Sequence, residues 1–172
     1  MDFYDIAGRG CELPEGLSRR LGFKRIFTPG ADFRIAYVDE RNDFDARLAY
    51  GTKKDKLLEH VRRGVGAVAI ADLYMDKKLM EAMRVNHCML VIPLGAITLT
   101  EAGERSKNVY RAGNIIKHAR SLDIEVSFAT MAGSPNQLLS SSQMVEVSRM
   151  AGVEREYARY SLNTLNKKIF GI

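Results

Sequence analysis

The chain has 172 residues with 26 basic and 21 acidic side chains, a formal net charge of +5 and 46% apolar residues. This length and apolar content are typical of a single domain with a buried hydrophobic core. The longest apolar stretch has about ten residues and is broken by Pro93 and Gly95, so the sequence predicts no membrane-spanning helix. The acidic opening "MDFYD" lacks the apolar region of a signal peptide.

The two cysteines indicate a reducing compartment. Cys11 and Cys88 lie far apart in the sequence and neither belongs to a CxxC motif. This spacing favours neither a zinc site nor a disulfide framework. We therefore expect a cytoplasmic protein.

Apolar runs alternate with amphipathic segments along the chain. Strands are predicted at residues 3–6, in "FKRIFTPG" and "FRIAYVDE", and at residues 47–50, 67–71, 88–93 and 124–129. Helices are predicted from Pro14 to Gly22, from an N-cap at Thr52 to Gly64, after an N-cap at Asp76, after Thr98, from a capping box at Ser140 and Gln143 to Gly152 and from Ala158 to Ile169. This alternation indicates a parallel sheet. We predict a single α/β barrel-like domain over residues 1–172, a trimmed TIM barrel of about seven parallel strands, since a complete eightfold barrel usually needs roughly 250 residues.

The clearest strand–helix–strand unit lies between His87 and Gly133. Thr98 and Glu101 have the spacing of a capping box at the start of its helix. The apolar stripe of this helix consists of Val109, Ala112, Ile116 and Ala119. Its opposite face carries Lys107, Arg111, Asn114 and His118. Such a face is either a solvated helix surface or a contact with an acidic polymer.

The positive charge is concentrated in the middle of the chain. Residues 51–120 carry 13 basic and 7 acidic side chains, whereas residues 1–50 carry 8 and 9 and residues 121–172 carry 5 and 5. A concentrated positive field is what phosphate recognition requires. We predict that RNA binds to Lys53, Lys54, Arg62, Arg63, Lys107, Arg111, Lys117 and Arg120.

The predicted carboxyl ends of the strands offer few candidates for catalysis. In parallel α/β folds, functional residues collect at this edge, which here holds Arg9, Asp39, Glu40, Asp72 and residues 130–133. The histidines His60, His87 and His118 have no HxH or HExxH spacing, and the sequence contains no GxSxG motif. We therefore predict neither catalytic residues nor metal ligands in this chain.

Several segments resemble the archaeal ribonuclease P protein component 3 family, which is related to the thirty-kilodalton subunit of the eukaryotic enzyme. The resemblance lies in "MDFYDI", "LMEAMRVNHCMLVIPLGAI", "ERSKNVYRAGNIIKHARSLDIEVSFATMA" and "SQMVEVSRMAGV". It covers roughly residues 66–170 and, more loosely, the first 65, and its motifs are diffuse. Two places depart from the family: Thr130 and Met131 replace small serines, and Leu139 followed by serines replaces an arginine-rich turn.

The resemblance implies a barrel related to metal-dependent phosphoesterases that lacks their working metal site. It also implies a subunit of the ribonucleoprotein that removes the 5′ leader from precursor tRNA. In that enzyme the RNA is catalytic and requires Mg²⁺, and the subunit pairs with ribonuclease P protein component 2, a ferredoxin-like protein. Two alternatives are a stand-alone metal-dependent phosphoesterase that uses strand-end carboxylates and a scaffold that only docks another protein.

Overall fold

The computed structural model describes residues 2–30, 32–40 and 44–171. Its strands are β1 Tyr4–Ile6, β2 Arg25–Phe27, β3 Ile35–Tyr37, β4 Leu48–Gly51, β5 Ala67–Ile70, β6 Met89–Pro93 and β7 Val126–Ala129. Its α-helices are α1 Leu17–Arg20, α2 Lys54–Arg62, α3 Lys77–Val85, α4 Gly95–Thr98, α5 Ala102–Ser121, α6 Ser141–Met150, α7 Arg155–Tyr160 and α8 Asn166–Phe170. A π-helical segment, Ser161–Leu165, joins α7 to α8.

All strand pairs in the described residues are parallel. Strands β3, β4, β5, β6 and β7 form a five-stranded sheet in this order, and β1 pairs with β2 in a separate two-stranded sheet. The predicted α/β class is therefore confirmed as a five-stranded parallel sheet with surrounding helices.

Local signals predicted two helix starts correctly. The Asp76 carboxylate accepts a hydrogen bond from the backbone N–H of Leu79 at 2.8 Å and caps α3. At α6, the Gln143 N–H donates to Ser140 Oγ at 3.3 Å, and the Ser140 N–H donates to Gln143 Oε1 at 2.8 Å. These reciprocal bonds satisfy N–H groups that have no partner within the helix.

Two other predicted caps are wrong. Thr98 is the last residue of α4, and its hydroxyl donates to the Leu94 carbonyl oxygen at 3.2 Å instead of capping α5. Thr52 lies before the N-cap of α2, and the carboxylate of Asp39 accepts the N–H groups of Thr52 and Lys53 at 2.8 and 3.0 Å. Thr98 therefore belongs to a separate short helix, and at α2 the distant carboxylate of Asp39 replaces the local cap that the sequence predicts.

One face of the five-stranded sheet is covered by helices. Side chains of α2, α3 and α5 join one buried cluster with alternate residues of the strands, such as Val68 and Ile70 of β5. The residues that these three helices contribute to the cluster are Leu57, Val61, Leu79, Met80, Met83, Ala112, Ile115, Ile116 and Ala119. Because β4, β5, β6 and β7 are adjacent in the sheet and parallel crossovers are right-handed, the connecting helices α2, α3 and α5 lie side by side on one outer surface.

The other strand residues point to an inner cluster, because side chains alternate between the faces of a strand. All seven strands contribute to it, with Tyr4, Ile6, Phe27, Ile35, Leu48, Ala67, Ala69, Met89, Val91 and Ala129. Phe33 and, from the C-terminal segment (residues 155–171), Leu165 and Ile169 complete the cluster. The Phe170 ring packs against Phe27 and Phe33, with centroids 4.1 and 4.4 Å apart. The C-terminal segment therefore covers the interior of the domain.

Strands β7 and β1 are neighbours without pairing as strands in the described residues. Side chains accept the N–H groups along this edge of β7: Tyr157 Oη accepts Val126 N–H at 3.0 Å, and Ser161 Oγ accepts Phe128 N–H at 3.1 Å. The buried Asn166 amide donates to the carbonyl oxygens of Tyr4 and Phe128 at 2.7 and 3.0 Å. The C-terminal segment thus fills a seam between β7 and β1 that a closed barrel would fill with backbone hydrogen bonds.

The carboxyl ends of β7 and β1 meet directly at this seam. Asp5 is fully buried and accepts hydrogen bonds from the Ile6 N–H, the Thr130 N–H and the Thr130 hydroxyl at 2.7, 2.8 and 2.6 Å. The Gly8 N–H donates to the Ala132 carbonyl at 2.7 Å, and a Cβ at Gly8 would lie 2.6 Å from the Met131 oxygen. Asp5 and Gly8 therefore hold the first strand against the end of the large sheet.

Candidate nucleic-acid interface

The carboxylates at the strand ends are engaged in structural contacts. Asp39 holds the start of α2, and its pKa is below the ordinary value because the hydrogen bonds from Thr52 and Lys53 outweigh the effect of burial. Glu40 forms an ion pair with Arg9, whose guanidinium lies 4.2 Å from the centroid of the Tyr37 ring. In the described residues, no group of three or more His, Cys, Asp or Glu side chains is arranged to hold a metal ion.

Four of the eight predicted RNA-binding residues lie towards the carboxyl ends of the strands, two at the start of α2 and two in the first half of α5. They are Lys53, Lys54, Lys107 and Arg111. Helices that follow parallel strands begin at this edge of the sheet. Three of these four cations belong to one chain of polar contacts.

This chain of contacts starts at Asp72, which forms an ion pair with Lys54 and accepts the N–H of Tyr74 at 3.2 Å. Arg111 stacks on the Tyr74 ring, 4.2 Å from its centroid, and donates to the Tyr74 hydroxyl oxygen. Glu104 then pairs with Arg111 at 2.8 Å and with Lys107 at 3.2 Å. Hydrogen bonds from Lys107 and Arg111 hold the pKa of Glu104 below its ordinary value. These contacts fix the positions of three cations at one edge of the sheet.

The other four predicted residues lie towards the opposite end of the same helices. Arg63 pairs with Glu59 at 3.0 Å and lies 3.7 Å from the centroid of the Phe44 ring. Arg120 pairs with Glu154 at 2.9 Å. Arg62 and Lys117 are exposed and have no ion-pair partner among the described residues. The eight residues therefore form two groups along the outer helices instead of one compact patch.

Five of the eight residues are in ion pairs with carboxylates: Lys54, Arg63, Lys107, Arg111 and Arg120. Exposed pairs contribute about 0–1 kcal/mol each, so a phosphate can replace their carboxylate at low cost. The pairs of Lys54 and Arg111 are less accessible, with 20% and 24% of these side chains exposed. These two cations are therefore less available to phosphates, and their ion pairs mainly hold the neighbouring side chains in place.

The charged stripe predicted on α5 differs from the surface that the structure exposes. Arg111 is half-buried against Tyr74, and His118 is half-buried as well. The exposed face instead contains Lys107, Asn114, Lys117 and, between them, Tyr110, whose side chain is 71% exposed. Tyr110 was missed because one aromatic residue in a basic helix gives no periodic signal.

The charge of the outer surface also includes cations outside the predicted set. Lys77 and Lys78 are exposed at the start of α3, between α2 and α5. Arg105 is exposed and donates to the carbonyl oxygens of Thr98 and Thr100 at 3.4 and 3.2 Å. The outward charge of α3 is visible in the sequence, but the position of α3 between α2 and α5 becomes evident only in the fold.

Comparison with known proteins supports the fold class. The chain matches no model of a known protein family. It also matches none of the curated proteins with which it was compared. Among solved structures, it resembles a Xaa-Pro dipeptidase crystallised with methionine in its active site, with a TM-score of 0.55 and 16% sequence identity. The match covers 73% of this chain and 34% of the dipeptidase chain. At this identity the likeness establishes a shared α/β architecture.

None of the helices in the described part of the chain combines the length and apolar content that a membrane crossing requires.

Proposed function

We propose that this chain is a protein subunit of ribonuclease P that supports RNA-catalysed removal of the 5′ leader from precursor tRNA. The observation that carries the proposal is the placement of the charge. Residues 51–120, with 13 basic and 7 acidic side chains, include α2, α3 and most of α5. These helices lie side by side on one outer surface of the sheet. Lysine and arginine bind RNA by neutralising phosphates and releasing counterions.

The geometry favours binding over catalysis by this chain. The described carboxylates at the strand ends each make a structural contact, since Asp39 anchors α2, Glu40 pairs with Arg9, and Asp72 pairs with Lys54. A stand-alone phosphoesterase needs carboxylates that are free to hold a metal or to move a proton. In the proposal the catalytic RNA, with Mg²⁺, breaks the phosphodiester bond.

The proposal extends to the whole fold. Alternate residues of all seven described strands form one interior cluster, and β7 and β1 meet at their carboxyl ends. Both observations support a trimmed TIM-barrel-like body of about seven strands with a seam at β7 and β1. We place this body in the cytoplasm, away from membranes, bound to ribonuclease P RNA, to precursor tRNA within the complex and to the ferredoxin-like component 2 subunit.

Reconstitution of precursor-tRNA cleavage tests the proposal. Catalytic RNA and component 2 are assayed with and without this chain, and a mixture that lacks the RNA serves as the control. We expect the chain to increase 5′-leader removal only when the RNA is present, because the chain supplies phosphate-binding cations and no catalytic group. Cleavage without RNA would indicate a phosphoesterase instead. No stimulation in any mixture would leave the docking scaffold as the better description.

A further inference from the structure

Tyr110 is the most exposed of the large apolar side chains in the described structure, at 71%. The other tyrosines contact another aromatic ring or, as Tyr74 does, a guanidinium. Tyr110 makes no hydrogen bond, ring contact or cation–π contact with the described residues. An aromatic ring in this state presents a free π-face to solvent.

The neighbours of Tyr110 on α5 leave this ring accessible and surround it with positive charge. Residues three, four and seven positions apart lie on the same helical face. The small residues Gly103, Ser106 and Gly113 occupy three of these positions, and Lys107, Asn114 and Lys117 occupy the others. The glycines and the serine are too small to cover the ring, whereas the lysines and the asparagine supply charge and hydrogen-bonding capacity beside it.

A groove lies one helical turn beyond Tyr110, between α5 and the turn that joins α6 to α7. Its volume is about 360 Å³, and it is lined by Gly113, Ile116, Lys117, Arg120, Ala151 and Gly152. A Cβ at Gly113 would lie 3.1 Å from the Ala151 carbonyl oxygen, so the glycine lets the turn approach α5 closely. Volumes of this order hold small ligands in proteins.

Of the two cations that border the groove, one is in an ion pair and the other is not. Arg120 is held by Glu154 at 2.9 Å and lies 5.1 Å from the centroid of the Tyr157 ring. The exposed ammonium group of Lys117 has no ion-pair partner among the described residues. Lys117 is therefore the cation that is free to bind an anion between the groove and Tyr110.

We propose that Tyr110 and this groove bind an unpaired nucleotide of single-stranded RNA, an inference that rests on the proposed function. The base stacks on the Tyr110 ring, and its phosphate contacts Lys117. A free aromatic face beside a positive groove is the arrangement with which proteins bind single strands, since every base has a π-face. Paired regions offer no such face, so this site distinguishes single-stranded from duplex RNA.

The absence of tryptophan from the sequence allows a direct test. In the full chain, Tyr110→Trp introduces the only tryptophan, whose emission is excited selectively over that of the tyrosines, and short oligouridylate is the single-stranded probe. We expect quenching of the tryptophan emission on binding, with an affinity near that of the wild type. Tyr110→Leu should weaken oligouridylate binding by roughly 5- to 100-fold, the range that loss of one stacked base produces. It should leave the affinity for a blunt RNA duplex of equal length within about twofold.

Tyr160→Leu is the matched control, because Tyr160 is 46% exposed on α7 and contacts Tyr157 instead of standing free. Unchanged oligouridylate affinity in Tyr110→Leu, with salt-dependent duplex binding intact, would overturn the nucleotide site and leave the proposed function standing. An equal loss for duplex and single strand would also overturn it. Failure of the wild-type chain to bind either RNA would overturn both proposals.

Discussion

Replacing Arg62, Lys107 and Lys117 with glutamine should lower the affinity for ribonuclease P RNA on the order of 10- to 100-fold at low salt. These side chains are exposed on α2 and α5, and only Lys107 has an ion-pair partner among the described residues, the accessible Glu104. Each lost phosphate contact also reduces the slope of log affinity against log salt by about 1. Filter binding or fluorescence anisotropy over a salt series measures both quantities.

A control variant removes the same charge from another part of the surface. Arg19 and Arg20 of α1 and Arg159 of α7 are exposed and have no ion-pair partner in the described structure. Their replacement with glutamine changes the net charge by the same amount. At about 0.1 M salt we expect the control to lose less than about threefold in affinity, since attraction beyond about 10 Å is then largely screened. Equal losses in the two variants would show that net charge, rather than the outer helices, determines binding.

Replacing Asp5 with alanine should destabilise the domain by about 3–5 kcal/mol, since it leaves the buried N–H groups of Ile6 and Thr130 without acceptors. Asp5→Asn should be far milder. Its carbonyl oxygen can accept both N–H groups, and its amide can donate to the Thr130 hydroxyl. That hydroxyl then donates to the Ile6 carbonyl oxygen, 3.4 Å away. Urea unfolding of the three proteins measures these differences in the free energy of unfolding.

The same carboxyl predicts a pH dependence. Burial raises the pKa of Asp5 from 3.8 to about 6, although the hydrogen bonds from Thr130 and Ile6 oppose the rise. The native state therefore holds this proton more tightly than the unfolded state. The protonated Asp5 carboxyl contributes its full stabilisation of the native state below pH 3.8. This contribution to the free energy of unfolding falls by about 3 kcal/mol in total as the pH rises to about 6.

The comparison with Asp5→Asn isolates this effect. Glu104, Glu146 and other exposed carboxylates have lowered pKa values and act in the opposite direction at acidic pH. They are present in both proteins, so they cancel in the difference between the two unfolding free energies. We expect the wild type to lose stability relative to Asp5→Asn between about pH 4 and 6. A difference that stays constant over this range would mean that Asp5 titrates alike in both states.

The parts of the fold that local sequence specifies were predicted well. Asp76 and Ser140 accept N–H groups only three residues later in the chain, so a short stretch of sequence is enough to predict these caps. The seam depends instead on contacts between distant parts of the chain. Asn166 donates to the carbonyl of Tyr4, 162 positions away, and no local pattern marks that pairing. For this reason the sequence predicts parallel strands and leaves their separation into two sheets unforeseen.

In the candidate interface too, some features follow from the sequence and others depend on contacts between distant residues. The charge excess of residues 51–120 is a property of composition and needs no coordinates. Which cations are free depends on folding: Arg111 meets Tyr74, 37 positions earlier, whereas Lys117 meets no carboxylate among the described residues. Periodicity places both residues on one helix, but it cannot identify the partners that the rest of the chain brings to them.

The salt dependence of RNA binding by the wild-type chain tests the central claim most directly. The claim is that cations of the outer helices bind RNA phosphates. Six or more such contacts predict an affinity for ribonuclease P RNA that falls by roughly a thousandfold between about 50 and 200 mM salt. An affinity that stays constant over this range would contradict the claim, because binding would then not depend on neutralising phosphates.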